Sequence, residues 1–161
     1  MVIELFVLLF LHWSGKYWSL IWELFREKPE LSEEILYKLA DRVERHNACF
    51  ADNLEELHLA ELYLFMSNRF PPGEDPKLEG EVTARHSLGE LRSSILKKLV
   101  NRGTSDACIA IESLVEKLPE QRTVILWNLR EARINTLKKT WQPLIPSQVI
   151  DLLQDRHRRY V

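Results

Sequence analysis

Apolar residues recur every three to four positions along nearly the whole chain, and sustained alternation of apolar and polar residues is absent. This period predicts amphipathic helices rather than strands. Residues 2–27 form one long helix or two, with Gly15 as the break, and Lys28-Pro29 stops the run. Ser32 is the predicted N-cap of the next helix, since the glutamates that follow it suit the positive end of a helix dipole.

Two capping-box patterns predict further helix starts. Residues 53–56 (Asn-Leu-Glu-Glu) open a helix that runs to about Ser67, and residues 87–90 (Ser-Leu-Gly-Glu) open another. In the first helix, inward positions are expected at Leu54, Leu57, Leu64 and Phe65. Between the two helices, residues 68–86 are polar and rich in Pro and Gly, which predicts an extended loop.

Helix junctions in the second half carry local signals. Gly103 predicts a left-handed C-cap and Thr104 the N-cap of the next helix. Pro119 ends that helix and can open its successor, which runs to about Lys139. Residues 141–146 then form a short linker, and Pro146 begins a last helix with a basic end.

These elements predict an all-α fold. About seven helices in antiparallel pairs would form a HEAT-like helical array or an irregular helical bundle. Along the chain we expect N-terminal helices over 1–67, the loop 68–86 and a helical segment with a basic C-terminal helix over 87–161, in one continuous domain. No internal repeat at a fixed period is seen, so the pattern does not establish a regular repeat array.

The first 27 residues are apolar on most sides, with a dense aromatic cluster. Such a helix must be covered, either by this chain's own core or by a partner. The apolar run of about ten residues is shorter than the ~20 that span a bilayer, and it carries Glu4 with no basic segment before it, so neither a membrane helix nor a signal peptide is expected. The candidate partner-binding residues of this docking helix are Phe6, Phe10, Trp13, Tyr17, Trp18 and Trp22.

Composition excludes several classes of protein. With 45% hydrophobic and 29% charged residues, 5 Gly and 7 Pro, the chain is neither disordered nor fibrous. Two cysteines are too few for a disulfide scaffold, and free thiols fit a cytoplasmic location.

Charge is unevenly distributed along the chain. Residues 122–161 carry eight basic and three acidic residues, a net charge of +5, and since the whole chain carries −2, the first 121 residues carry −7. A basic segment of this kind is most often a solvated helix face, but it can also meet nucleic acid or an acidic partner surface. The candidate nucleic-acid-binding residues are Arg130, Arg133, Lys138, Lys139, Arg156, Arg158 and Arg159.

No pattern of residues predicts catalysis, a cofactor or a metal. His46 and Cys49 share a predicted helix face and His58 is near in sequence, but zinc needs more ligands than these with suitable geometry. Cys108 lies on an apolar stripe, which favours an inert buried thiol. Because no Gly-rich phosphate loop is present, no nucleotide site is expected on this chain.

From about residue 88 to the end, the sequence resembles a known family. The run Leu91–Leu114 with Leu118-Pro119, the segment Trp141–Leu153, and Arg158–Val161 are similar to the helical region that follows the NTPase in large bacterial STAND proteins with NACHT or AAA-type modules. Residues 32–70 resemble it more loosely. The matching residues lie at helix junctions and packing positions, so the resemblance transfers no catalytic residue.

The resemblance implies a non-catalytic sensor or scaffold segment of an antiviral defence or signalling complex. Its partner would be the NTPase or an effector chain, and the chain would be one part of a longer helical array. Two alternatives remain open: a stand-alone adaptor that dimerises through residues 2–25, and a nucleic-acid-binding helical module that uses the basic C-terminal 40 residues.

Overall fold

A computed structural model describes residues 2–13, 15–46, 50–70, 79–140 and 153–154. Within these ranges there are seven α-helices and no strand, which confirms the all-α prediction. The helices are α1 (Val2–Trp13), α2 (Trp18–Glu27), α3 (Pro29–His46), α4 (Glu56–Arg69), α5 (Glu79–Arg102), α6 (Ser105–Lys117) and α7 (Arg122–Thr140). A 3-10 turn, Pro119–Gln121, joins α6 to α7.

The helices pack as a two-layer array. Helix α1 packs on α3, α3 on α5, and α5 on α7, so the odd-numbered helices form one layer. In the other layer α4 packs on α6, and the side chains of α2 contact those of α4 through the rings of Trp22 and Phe65. Between the layers, α2 packs on α3, α4 and α6 both pack on α5, and α6 packs on α7. In this order α1 and α7 lie at opposite ends of the array.

Gly15 lies between α1 and α2, so of the two alternatives that the sequence left open, the structure has two helices. A Cβ atom built on Gly15 would lie 2.3 Å from the carbonyl oxygen of Asn53, a distance that real Cβ atoms do not show. The Asn53 amide also donates a hydrogen bond to the carbonyl of His12, 3.4 Å away. The turn between the two helices therefore needs glycine because the 50–55 loop packs directly against it.

The junction between α5 and α6 is also as predicted. Gly103 has a φ of +58°, the left-handed conformation that glycine adopts at little cost. The Thr104 hydroxyl accepts a hydrogen bond from the backbone N–H of Ala107 at 3.1 Å, which is the N-cap interaction. Local sequence is sufficient here because both signals act within four residues.

Two predicted N-caps are wrong. Helix α3 begins at Pro29, whose fixed φ suits a first helical position, and Ser32 is buried inside the helix with its hydroxyl donating to the Pro29 carbonyl at 2.6 Å. Helix α4 begins at Glu56 with Glu55 at the N-cap and no side-chain cap. Asn53 is instead held by the α1–α2 turn.

The extended loop predicted over 68–86 is wrong at both ends. Helix α4 continues to Arg69, and α5 begins at Glu79 and passes through residues 87–90 without a break, so the second capping box does not start a helix. Ser87 and Leu88 are buried against the rest of the fold, which favours a continuous helix over a cap. Residues 71–78 lie outside the described residues, as do the predicted linker over 141–146 and most of the last predicted helix; residues 153–154 are helical.

Candidate partner-binding faces

Phe10 and Trp18, two of the predicted partner-binding residues, belong to the core. Phe10 is fully buried, with its ring centroid 5.5 Å from that of Phe25 and 6.0 Å from that of Phe50. Trp18 is 4% exposed and stacks at 5.3 Å on the ring of His58. Neither side chain can contact a partner in this fold, so the prediction that they bind one is corrected.

The other aromatic residues of the N-terminal helices are placed differently from one another. Phe6 and Trp22 are partly buried against the same core, and the Trp22 ring lies 5.3 Å from that of Trp18. Tyr17 is 37% exposed, with the ammonium of Lys16 5.4 Å from its ring centroid. The side chain of Trp13 lies outside the described residues.

The outer side of α1 carries a smaller apolar stripe. Val2, Leu5 and Leu8 are spaced by three residues and are exposed. Beside them Glu4 ties α1 to α3, since its carboxylate contacts the Lys38 ammonium at 3.0 Å and the Arg42 guanidinium at 2.5 Å. The hydrogen bond from Lys38 holds the pKa of the Glu4 carboxyl below its ordinary value. This stripe marks the α1 end of the array as apolar at its surface.

Helix α7 has two apolar stripes on opposite sides. Ile125, Leu129 and Ala132 are buried against α5 and α6. On the other side lies an exposed stripe that we call the α7 outer seam: Leu126, Trp127, Arg130, Ile134 and Leu137. Trp127 is 61% exposed and Leu137 65%, while Ile134 is half-buried. Large apolar side chains at helical spacing on the surface are typical of an interaction site.

Basic side chains surround this seam. The Arg130 guanidinium lies over the Trp127 ring, 5.7 Å from its centroid. Arg133 and Lys138 are exposed beside the seam, and the Arg133 guanidinium is 3.8 Å from the carboxylate of Glu112 on α6. The α7 outer seam is therefore both apolar and positively charged.

Of the predicted nucleic-acid-binding residues, Lys139 has a structural role. Its ammonium donates hydrogen bonds to the carbonyls of Asn101 and Arg102, at the C-terminus of α5. Lysines commonly satisfy the last carbonyls of a helix in this way. Arg156, Arg158 and Arg159 lie outside the described residues. The structure thus brings together Arg130, Arg133 and Lys138 on one helix face and assigns Lys139 to a helix end.

A surface cavity of about 290 Å³ is lined by Asp52, Lys98, Asn101 and Arg102. Its charges are already paired: Lys98 contacts Asp52 at 2.6 Å, and Arg102 contacts the Glu56 carboxylate at 3.6 Å. Because each cation has a carboxylate beside it, the cavity offers no uncompensated charge for an anion. Its side chains hold the 50–55 loop against α5.

Among the described residues, no group of three or more His, Cys, Asp or Glu side chains is arranged to hold a metal ion. None of the described helices combines the length and the apolar character needed to cross a bilayer. Compared with known proteins, the chain matches no protein-family model, no curated protein and no solved structure.

Proposed function

We propose that this chain is a non-catalytic helical scaffold that binds a protein partner through the α7 outer seam. The observation that carries the proposal is Trp127, a large aromatic side chain that is 61% exposed in the middle of an apolar stripe. Tryptophan is among the residues most enriched at the energetic centres of protein interfaces. The α7 seam also lies at one end of the array, where no further described helix covers it.

The alternative of nucleic-acid binding fits this face less well. A phosphate backbone would satisfy Arg130, Arg133 and Lys138 but would leave the side chains of Leu126 and Leu137 uncovered. Lys139, a fourth candidate, is already bound to backbone carbonyls. A protein surface can cover the apolar side chains and pair the charges at once.

The class of partner protein is proposed from the sequence resemblance described above. We propose association with a STAND-type NTPase in a cytoplasmic defence or signalling complex, with the NTPase or an effector chain as partner, because α7 falls within the part of the sequence, from residue 88 onward, that resembles the helical region of those proteins. The two-layer stacking of the described helices supports this proposal, since such arrays present long surfaces to partners.

Photo-crosslinking in the native cell tests the proposed function. A photoreactive amino acid replaces Leu126 in one variant and Leu20, which is 50% exposed on α2, in the control variant. We expect position 126 to capture one reproducible protein that position 20 does not, and Trp127→Glu to abolish the capture. Equal capture at both positions, or capture of none, would refute the proposal; a nucleic acid attached at position 126 would establish the alternative.

A further inference from the structure

The chemistry of the α7 outer seam specifies the kind of partner it fits. We infer that its occupant is an amphipathic helix with carboxylates beside its apolar face, an inference that rests on the proposed function. The inference follows from the spacing of the side chains in the seam and from the placement of charged residues within and beside it.

The spacing of the seam is that of a helix-packing surface. Trp127, Arg130, Ile134 and Leu137 follow one another at intervals of three, four and three residues. This is the spacing with which two helices interlock their side chains, and the span of about 15 Å corresponds to nearly three turns. The seam therefore offers holes into which the side chains of a second helix fit.

The cations of the seam lie where a partner helix would place its flanking residues. Arg130 is within the seam, and Arg133 and Lys138 lie beside it, against one acidic residue on α7, Glu131. In the described part of the chain, neither Arg130 nor Lys138 has a carboxylate within salt-bridge distance. The Glu112–Arg133 pair is long, at 3.8 Å, with both side chains mostly exposed, so a carboxylate of the partner can replace Glu112. Charges at such positions select the partner helix by sign.

A lipid surface fits this arrangement less well. Helices that lie in a membrane interface keep their cations on the polar side of the helix and their apolar residues on the other. Here Arg130 lies between Trp127 and Leu137, so insertion of the apolar side chains would carry a guanidinium with them. A carboxylate on a facing helix can pair with that guanidinium, whereas an acyl chain cannot.

Selection from a displayed library of helical peptides tests the inference. Each peptide carries the same leucine seam at heptad spacing, with Glu, Gln or Lys varied at the flanking positions, and the full-length chain is the target. We expect the bound pool to become rich in Glu. Trp127→Ala should weaken the best peptide about 30-fold or more, and Leu20→Ala, at the other end of the array, should change it less than about twofold. Unchanged far-ultraviolet circular dichroism confirms that each variant is folded.

Charge reversal sharpens the test. In the double variant Arg130→Glu with Lys138→Glu, the same selection should enrich Lys in place of Glu. Binding that depends on Trp127 but favours neutral or basic peptides would overturn the inference and leave the proposed function standing. If no peptide depends on Trp127, the inference fails, whereas the proposed function is decided separately by crosslinking at position 126. Trp127-dependent binding to phosphatidylserine vesicles that exceeds binding to the best peptide would overturn the inference in favour of a lipid surface.

Discussion

Truncation of Phe10 tests whether the N-terminal helix belongs to the core of this chain. The ring of Phe10 is fully buried and contacts three other aromatic rings, with centroids at 5.5 Å for Phe25, 6.0 Å for Phe50 and 6.2 Å for Trp18. Phe→Ala substitutions in such surroundings cost about 3–5 kcal/mol, because the transfer of the ring from water is lost and a cavity remains. We therefore expect Phe10→Ala to lower the free energy of unfolding by about 4 kcal/mol.

Urea unfolding followed by circular dichroism measures this loss. With a denaturant dependence of about 2 kcal/mol per molar, the midpoint should fall by about 2 M. Leu5 is the matched control, since it lies on the same helix but is 56% exposed, and Leu5→Ala should change stability by less than about 0.5 kcal/mol. If Phe10→Ala leaves too little folded protein to measure, Phe10→Leu provides a milder change of about 1 kcal/mol.

The comparison of the two variants can refute the reasoning. If Phe10→Ala costs less than about 1 kcal/mol, α1 contributes little to the folded state and the aromatic cluster is not the core of this domain. If Leu5→Ala costs as much as Phe10→Ala, the outer side of α1 is covered in solution, as it would be in a dimer formed through residues 2–25.

Three further predictions concern single contacts. Gly15→Ala should lower the free energy of unfolding in urea by about 1–3 kcal/mol, because its Cβ would meet the Asn53 carbonyl at 2.3 Å. Gly89→Ala has open space around its Cβ and should not destabilise the protein. Equal stability of the two variants would contradict the close approach. Thr104→Ala should lower the thermal midpoint, because about 1 kcal/mol of helix stability is lost with the cap. Thr104→Ser keeps the capping hydroxyl and should retain most of that stability. A midpoint for Thr104→Ser as low as that of Thr104→Ala would argue against the cap. Burial raises the pKa of Tyr63, whose hydroxyl donates to Gln121 at 2.5 Å. The stability that the neutral tyrosine contributes is therefore complete below pH ~10 and is lost as the pH rises through the raised pKa. In urea titrations between pH 8 and 11, the stability of Tyr63→Phe should fall less steeply than that of the wild type, and parallel curves would contradict this.

Among the described helices, the first and the last of the odd-numbered layer differ at their surfaces from the two between them. Helices α3 and α5 are covered on both sides within the odd-numbered layer, whereas α1 and α7 each have one described helix as neighbour in that layer. Apolar residues that an inner helix would bury are exposed there, at Leu5 on α1 and Trp127 on α7. An end helix of a stacked array needs either a polar outer side or a partner, and neither end of this array is uniformly polar.

The all-α class follows from the spacing of apolar residues, and the helix boundaries that were predicted correctly have signals that act within a few residues. Gly103 and Thr104 are examples, because left-handed backbone and a side-chain cap depend on nearest neighbours alone. Leu88, Leu91, Ile95 and Leu99 follow one another at helical spacing, and all four side chains are buried. Periodicity specifies that a side of a helix must be covered.

Which neighbour covers each side of a helix depends on how the helices pack together. Asn53 carries N-cap chemistry, yet it hydrogen-bonds the carbonyl of His12 in the α1–α2 turn, since a contact distant in sequence outweighs a local preference worth about 1 kcal/mol. Ser32 is buried inside α3 because the helix already begins at Pro29. Leu57 was expected to face inward and is 59% exposed. On α7 the sequence shows apolar residues all round the helix, and the packing of α5 and α6 against Ile125 and Leu129 is what leaves Trp127 at the surface. The spacing of apolar residues shows which sides of a helix are apolar. Which of those sides is buried depends on the order in which the helices stack.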